Sequence, residues 1–383
     1  LWYNLAMLLE SLELQNFRNA SGKIFCGEKL NIITGDNGQG KTNWLEAIYL
    51  LATTKSFRTA KLHEAIRFDE DLAIIRGTVR QSAEIHRAMQ VALQANSKTL
   101  TVNGKREPVT RYLGQLHAVV FTASELEIVR GQPEARRKFL DGGITAIYPA
   151  FVQTLADYNR VVKQKNSLLQ SAQENGFSVE KTRELLEPWN EQLIALSARI
   201  YKARVRYVEL LQAALEKRLF EKETVTIRYV SQLEGKGDLS DYKGLLSERL
   251  NLRVQAELAS GYSLIGTHRD DLEILFDGRD LRTFGSSGQQ RSALLILQLA
   301  AIQLYFERNN EYPLFLLDDV DAELDRKRTA KLLEFLEDKT QTFVTTSKET
   351  LVEQFKNRSR VFTVAEGTIA NTEEDLHDDF FTQ

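Results

Sequence analysis

An α/β fold interrupted by a helical insertion is predicted by three features of the chain. A compact apolar run, Leu30–Thr34, leads into a glycine-rich turn and then a helical pattern from about Asn43 to Ala52. A second apolar run, Leu314–Leu317, ends in the paired acids Asp318 and Asp319. Nearly the whole chain separates the two, and within it residues 134–222 carry apolar side chains at helical spacing. Folds of this class gather their ligands at the carboxyl ends of parallel strands.

Each element has its own warrant. Leu8–Gln15 alternates as a strand does, and Phe17-Arg18-Asn19 breaks the alternation. Leu72–Val79, Ala88–Leu93 and Thr99–Val102 are further strands, and Asn103-Gly104 is a hairpin signal. His117–Phe121 is a buried strand. Leu155, Tyr158, Val162 and Leu169 share one helix face, and Leu193, Leu196, Ile200 and Tyr207 another, so a helical hairpin with a turn within Ser171–Val179 is expected. Thr224–Val230, Leu272–Phe276 and Thr342–Thr345 read as strands, Ser287–Glu307 and Asp325–Leu336 as helices. The expected divisions are 7–133 and 223–370 for the two parts of the α/β domain, 134–222 for the insertion and 371–383 for a flexible acidic tail.

The totals narrow the function classes. With 383 residues, 43% hydrophobic, the chain exceeds one ordinary domain and can bury a substantial core. Five prolines favour long uninterrupted helices. A net charge of −3 confines any nucleic-acid surface to a local basic patch, with Glu373, Glu374, Asp375, Asp378 and Asp379 among the offsetting acids. The single cysteine, Cys26, excludes an internal disulfide and suits a reducing, cytoplasmic compartment. No apolar run approaches the roughly 18 residues of a membrane span. Residues 1–6 are expected to precede a natural start at Met7.

Gly35, Asp36, Asn37, Gly38, Gln39, Gly40, Lys41 and Thr42 complete the pattern G-x-x-x-x-G-K-[ST], followed by Asn43 at the start of a helix. Glycines let the backbone wrap so that its N–H groups face phosphate oxygens, and the helix N-terminus adds partial positive charge. In this reading Lys41 bridges the terminal phosphates of ATP and the Thr42 hydroxyl binds Mg2+. Asp318 holds the metal, and Asp319 orients the attacking water. A chance glycine turn and a plain polar strand end are the bland readings, and their joint occurrence in this order argues against them.

Gly285, Ser286, Ser287, Gly288, Gln289, Gln290 and Arg291 open the 287–307 helix and form a second anion site of the same type. One nucleotide does not need two such helices from one subunit. The economical answer is that Ser286, Ser287, Gly288 and Gln289 reach a nucleotide bound by another copy, and a plain capped helix is the alternative. The layout resembles the signature motif of ABC proteins, and Ala322-Glu323-Leu324-Asp325 resembles their D-loop, with Asp325 its acid. Together the motifs imply an ABC/SMC-like P-loop ATPase head with an inserted helical arm domain.

Within that superfamily the chain resembles the RecF family of bacterial recombination mediators over almost its whole length. The matching stretches are Leu14–Asn19, the P-loop running on to Leu51, Lys55–Arg58, Arg136–Asp141, His268–Leu272, Gly285–Arg291, Leu317–Val320 and Phe343–Ser347. The resemblance implies an ATP-dependent homodimer that binds duplex DNA or single/double-strand junctions, with slow DNA-stimulated hydrolysis. It also implies association with RecR, and with RecO in loading RecA at gaps, and a part in replication, recombinational repair and the SOS response. Thr267 stands where the family usually has proline, Ser287 where it commonly has glutamine, and Thr122–Glu125 replaces a Ser-Pro-Glu-Asp-like run. Asp321 replaces an apolar residue. Asp319 is a shorter acid than the glutamate of ABC transporters, and Thr346 falls at their switch histidine.

DNA affinity needs phosphate-directed cations. Lys55, Arg58 and Lys61 follow the P-loop helix. Arg199, Lys202 and Arg206 share a helix face that solvation explains equally well. Arg136, Arg137 and Lys138 read as structural, and His268–Asp271 as part of a network. The competing function is an ATP-assembled, SMC-like DNA scaffold without turnover.

Overall fold

A computed structural model of the chain describes residues 7–82, 84–217 and 223–370. The expected acidic tail, residues 1–6 and the expected end of the insertion at 218–222 lie outside them. The chain divides into two compact units.

The first unit joins residues 7–126 to residues 291–370. Its central sheet has the strand order Thr368–Ala370, Ser359–Ala365, Leu30–Thr34, Thr342–Thr346, Leu314–Leu317, Ala118–Phe121. All neighbours pair in parallel except the edge strand Thr368–Ala370. The four strands on the Ala118 side are buried along nearly their whole length because both faces of the sheet are covered. The second sheet is antiparallel, in the order Ala20–Phe25, Leu8–Phe17, Ala73–Ser82, Ile85–Gln94, Ser97–Val102, Lys105–Arg106. Its strands alternate, with Met89, Val91 and Leu93 turned into the core. Asn103 and Gly104 both take positive φ, 50° and 75°, the geometry of a tight hairpin turn.

The helix after the glycine loop, Lys41–Thr53, is packed into the core that both sheets share. Trp44, Leu45, Ala47, Ile48, Leu50 and Leu51 are all fully buried. They share one core with Leu9, Leu12 and Val79 of the antiparallel sheet and Val120, Leu316 and Phe343 of the parallel one. Packing is close at Gly77, where a Cβ would lie 2.4 Å from a Leu51 methyl and 2.9 Å from a Leu9 methyl, so a larger residue would have to displace both side chains.

The second unit joins residues 127–217 to residues 223–290. It carries helices Pro133–Ile147, Phe151–Glu174, Val179–Glu216 and Tyr242–Ser260 and a small sheet of Val225–Val230, Asp271–Phe276 and Arg279–Asp280. The expected helical hairpin is present, with its turn at 175–178, and Tyr158, Leu193 and Ile200 lie in its core. The helices and the 223–290 stretch therefore form one compact unit, whereas the sequence grouped 223–290 with the α/β domain. The reason is non-local: Val225–Val230 pairs with Asp271–Phe276, and helix Tyr242–Ser260 packs Leu246 and Leu250 among the hairpin's core residues. That helix escaped the sequence reading, although Asp241 caps its first turn at 3.0 Å and Gly261 ends it with φ 72°.

Candidate nucleotide site

Strand Leu30–Thr34 delivers Gly35 against the neighbouring strand. Its φ is 142°, and a Cβ there would lie 2.4 Å from the Val364 carbonyl oxygen. Gly40, at φ 106°, leaves room for Asn19 in the same way. The loop is braced from outside: the Gly367 N–H donates to Gln39 O at 2.8 Å and the Glu366 N–H to Gln39 Oε1 at 2.6 Å. Lys41 Nζ curls over the loop, donating to Gly35 O at 2.7 Å and Asp36 O at 2.9 Å, and the residue is 8% exposed.

The distant acids arrive here through the parallel sheet. Strand Thr342–Thr346 lies between Leu30–Thr34 and Leu314–Leu317, so the ends of all three open on one place. The Thr42 hydroxyl donates to Asp318 Oδ1 at 2.9 Å, and the Thr345 hydroxyl donates to the same oxygen at 2.8 Å. The Asp319 N–H donates to Thr345 Oγ1 at 2.7 Å. Asp319 itself sits at φ 45°, a left-handed conformation at the sharp turn after the strand.

Burial pushes the Asp318 carboxyl above its ordinary range, and the Thr345 and Thr42 hydrogen bonds pull against that. Asp319 raises it further and Arg58 lowers it. A hydroxyl and a desolvated carboxylate thus converge at a helix N-terminus, a donor set that fits a small oxygen-seeking dication with phosphate nearby.

Other site residues are engaged locally. Arg58 Nη1 binds Asn43 Oδ1 at 2.5 Å and Glu46 Oε2 at 3.3 Å. The fully buried Glu46 also takes Arg18 Nε at 2.5 Å and the Ser56 hydroxyl at 2.5 Å. Lys55, Arg58 and Lys61 all have exposed side chains. Asp325 accepts the Lys327 and Arg328 N–H groups, both at 3.0 Å, and caps helix Arg326–Leu336.

In the second unit, Ser286 and Gln289 form a reciprocal capping box on helix Ser287–Asn309. The Ser286 N–H donates to Gln289 Oε1 at 2.9 Å, and the Gln289 N–H to Ser286 Oγ at 3.3 Å. A Cβ on Gly288 would meet nothing within 4 Å, so this chain's own packing does not require glycine there. Arg199, Lys202 and Arg206 are exposed, and Arg206 pairs with Glu209 at 3.0 Å. Arg136 is structural, held in two bonds to Asp271, and Arg137 donates to Asp270 O. His268 is bound by Tyr158 at 2.7 Å within the same unit.

Sequence reasoning missed Thr345, which organises both acids, and the Gln39 brace. A threonine near the end of a buried strand carries no signal until the neighbouring strand is known.

Residues 8–370 match the sequence model of the family described as the RecF/RecN/SMC N terminal domain. A DNA replication and repair protein RecF from Bacillus mycoides (strain KBAB4) is 35% identical over 374 residues, covering 95% of this chain and 98% of that protein. A solved structure of the recombination mediator protein RecF with ATP, of the RecFOR pathway, superposes with a TM-score of 0.86 at 32% identity, covering 97% of this chain and 99% of that one. An SMC head bound to the C-terminal winged-helix domain of ScpA shares the fold alone, with a TM-score of 0.52 at 14% identity over 96% of this chain and 99% of that one. The chain belongs to the RecF family and has the α/β fold of the RecF and SMC heads.

Proposed function

We propose that the chain is a DNA-repair ATPase that binds ATP with Mg2+ at residues 35–43 and hydrolyses it slowly. The carrying observation is the convergence of Thr42 and Thr345, from opposite ends of the chain, on Asp318 Oδ1, with Thr345 also accepting the Asp319 N–H. Thr42 and Asp318 would hold the metal, which supplies charge neutralisation on the phosphates. Lys41 binds the terminal phosphates. Asp319 orients a water whose oxygen bonds to the γ-phosphorus as the bond to ADP breaks, and takes its proton.

The ATP form is a head-to-tail homodimer in which Ser286, Ser287, Gly288 and Gln289, with Asp325, reach the partner's nucleotide. Gly288 supports this reading: a helical glycine costs about 1 kcal/mol against alanine, and its own unit offers no reason for it. The dimer binds duplex DNA or its junctions through Lys55, Arg58 and Lys61, with Arg199, Lys202 and Arg206 on the arm. It acts with RecR and RecO in loading RecA, in the cytoplasm. No helix among the described residues is long and apolar enough to cross a membrane.

Light scattering with ATP and Mg2+, with ADP and without nucleotide tests the assembly, with duplex DNA titrated in parallel. Dimers and DNA binding that need ATP, and vanish in Lys41→Met and Ser286→Arg, are expected. A monomer that hydrolyses ATP normally under all conditions rejects the shared site. Turnover that is absent from wild type and Asp319→Asn alike, with assembly intact, establishes the scaffold instead.

A further inference from the structure

Strand Thr342–Thr346 runs parallel between the strand that enters the glycine loop and the strand that ends in the acids, with Thr346 opposite Thr34 and Val344 opposite Leu317. The chain leaving this strand therefore emerges between Gly35 and Asp318. Its last residues serve the acids in turn: Thr345 binds Asp318 and the Asp319 N–H, and the fully buried Thr346 donates its hydroxyl to Asp321 Oδ2. The Thr346 oxygen also accepts the Lys348 N–H at 3.0 Å, so that hydroxyl is committed in both senses.

Lys348 is differently placed. Its backbone is pinned by Thr346, while its ammonium reaches back to Asp321, 3.4 Å from the carbonyl oxygen and 4.0 Å from Oδ1. The lysine side chain is 59% exposed and Asp321 only 12%. A long, solvated pair of this kind holds its cation weakly. Lys41 and Arg58 are tied more closely, Lys41 to the loop carbonyls and Arg58 to Asn43 and Glu46. An anion with two or more charges seated between the loop and the acids would compete with Asp321 for the Lys348 ammonium.

We propose that Lys348 is a mobile cation of the phosphate site, which leaves Asp321 to bind the terminal phosphate of a nucleoside triphosphate. The inference rests on the ATP-binding reading above. It makes Lys348 a sensor of the third phosphate, since a diphosphate presents less charge at that end.

The test is titration of the full chain with Mg2+ and fluorescent analogues of ADP and of non-hydrolysable ATP. Wild type is compared with Lys348→Ala, Lys348→Arg, Asp321→Asn and Lys41→Ala, with ATP turnover measured in parallel. Losing a charge-assisted bond to phosphate should weaken the triphosphate analogue roughly tenfold or more. ADP binding should be unchanged, Lys348→Arg should retain most of the affinity, and Asp321→Asn should bind the triphosphate at least as tightly as wild type. Lys348→Ala binding and hydrolysing like wild type overturns the proposal, as does an equal loss for both analogues. A wild type that binds neither, or a Lys41→Ala that binds both normally, overturns the underlying reading instead.

Discussion

Thr345 and Asp318 are joined by a 2.8 Å hydrogen bond, and the same threonine oxygen accepts the Asp319 N–H at 2.7 Å. One hydroxyl on the neighbouring strand therefore sets the positions of both acids. Thr345→Val keeps the shape and removes the hydroxyl, leaving a part-buried N–H and a part-buried carboxylate short of a partner each. A loss of about 1–3 kcal/mol is expected, with Thr345→Ser losing less. Urea denaturation checks it; equal midpoints for valine and wild type would show that the hydroxyl holds nothing.

Burial holds Asp318 at a cost in stability near neutral pH. Its carboxyl is pushed up by burial, so it holds its proton more readily folded than unfolded. Its contribution is therefore present at low pH and lost as pH rises through the raised value. Asp318→Asn should melt higher than wild type at pH 8, with the advantage shrinking toward pH 4, and should lose Mg2+-dependent nucleotide binding. Thermal melts at both pH values decide; a lower melting point at pH 8 would count against burial as the dominant cause.

Glu125 follows the same sign in a window that can be named. Burial pushes it up to about 7 from an ordinary 4.5. It lies just beyond strand Ala118–Phe121, its N–H bonded to Thr122 O at 3.1 Å. Its contribution is complete below about pH 4.5 and disappears as pH rises through 7. Glu125→Gln should flatten the fall in melting temperature across that interval. An unchanged slope would refute the assignment.

Lys165 and Glu257 form a fully buried ion pair at 2.8 Å between two helices of the second unit. Glu257 Oε1 also accepts the Leu264 N–H at 2.9 Å. Glu257→Gln leaves the ammonium buried without its counter-charge and should cost about 3–5 kcal/mol. The double change Lys165→Met with Glu257→Leu should recover much of that. Denaturant midpoints of the single and double variants, if equal, would contradict the pairing energy.

Gly288 and Ser286 separate stability from assembly. Gly288→Ala should stabilise the isolated chain by up to about 1 kcal/mol, since the space is open. Ser286→Ala should destabilise it by roughly the same amount through loss of the cap. Both should weaken the ATP-dependent dimer. Normal dimers from Gly288→Ala would return the motif to a capped helix and nothing more.

Two central strands were legible because strands covered on both faces are rich in apolar residues. Leu30–Thr34 and Leu314–Leu317 have the bounds their composition suggests. The helix at 242–260 was not, because its apolar positions mark a face only once the hairpin it packs on is known.

By itself the sequence determined the glycine loop, the strand ending in Asp318 and Asp319, and the family. These are local patterns, in which a few adjacent residues must meet one steric or chemical demand. Only the tertiary structure decided that Thr345 organises both acids and that Arg58 is anchored to Glu46. It also decided that residues 223–290 join the helices. Each of these depends on strand order and side-chain direction across gaps of ten to more than a hundred residues, which no local pattern encodes.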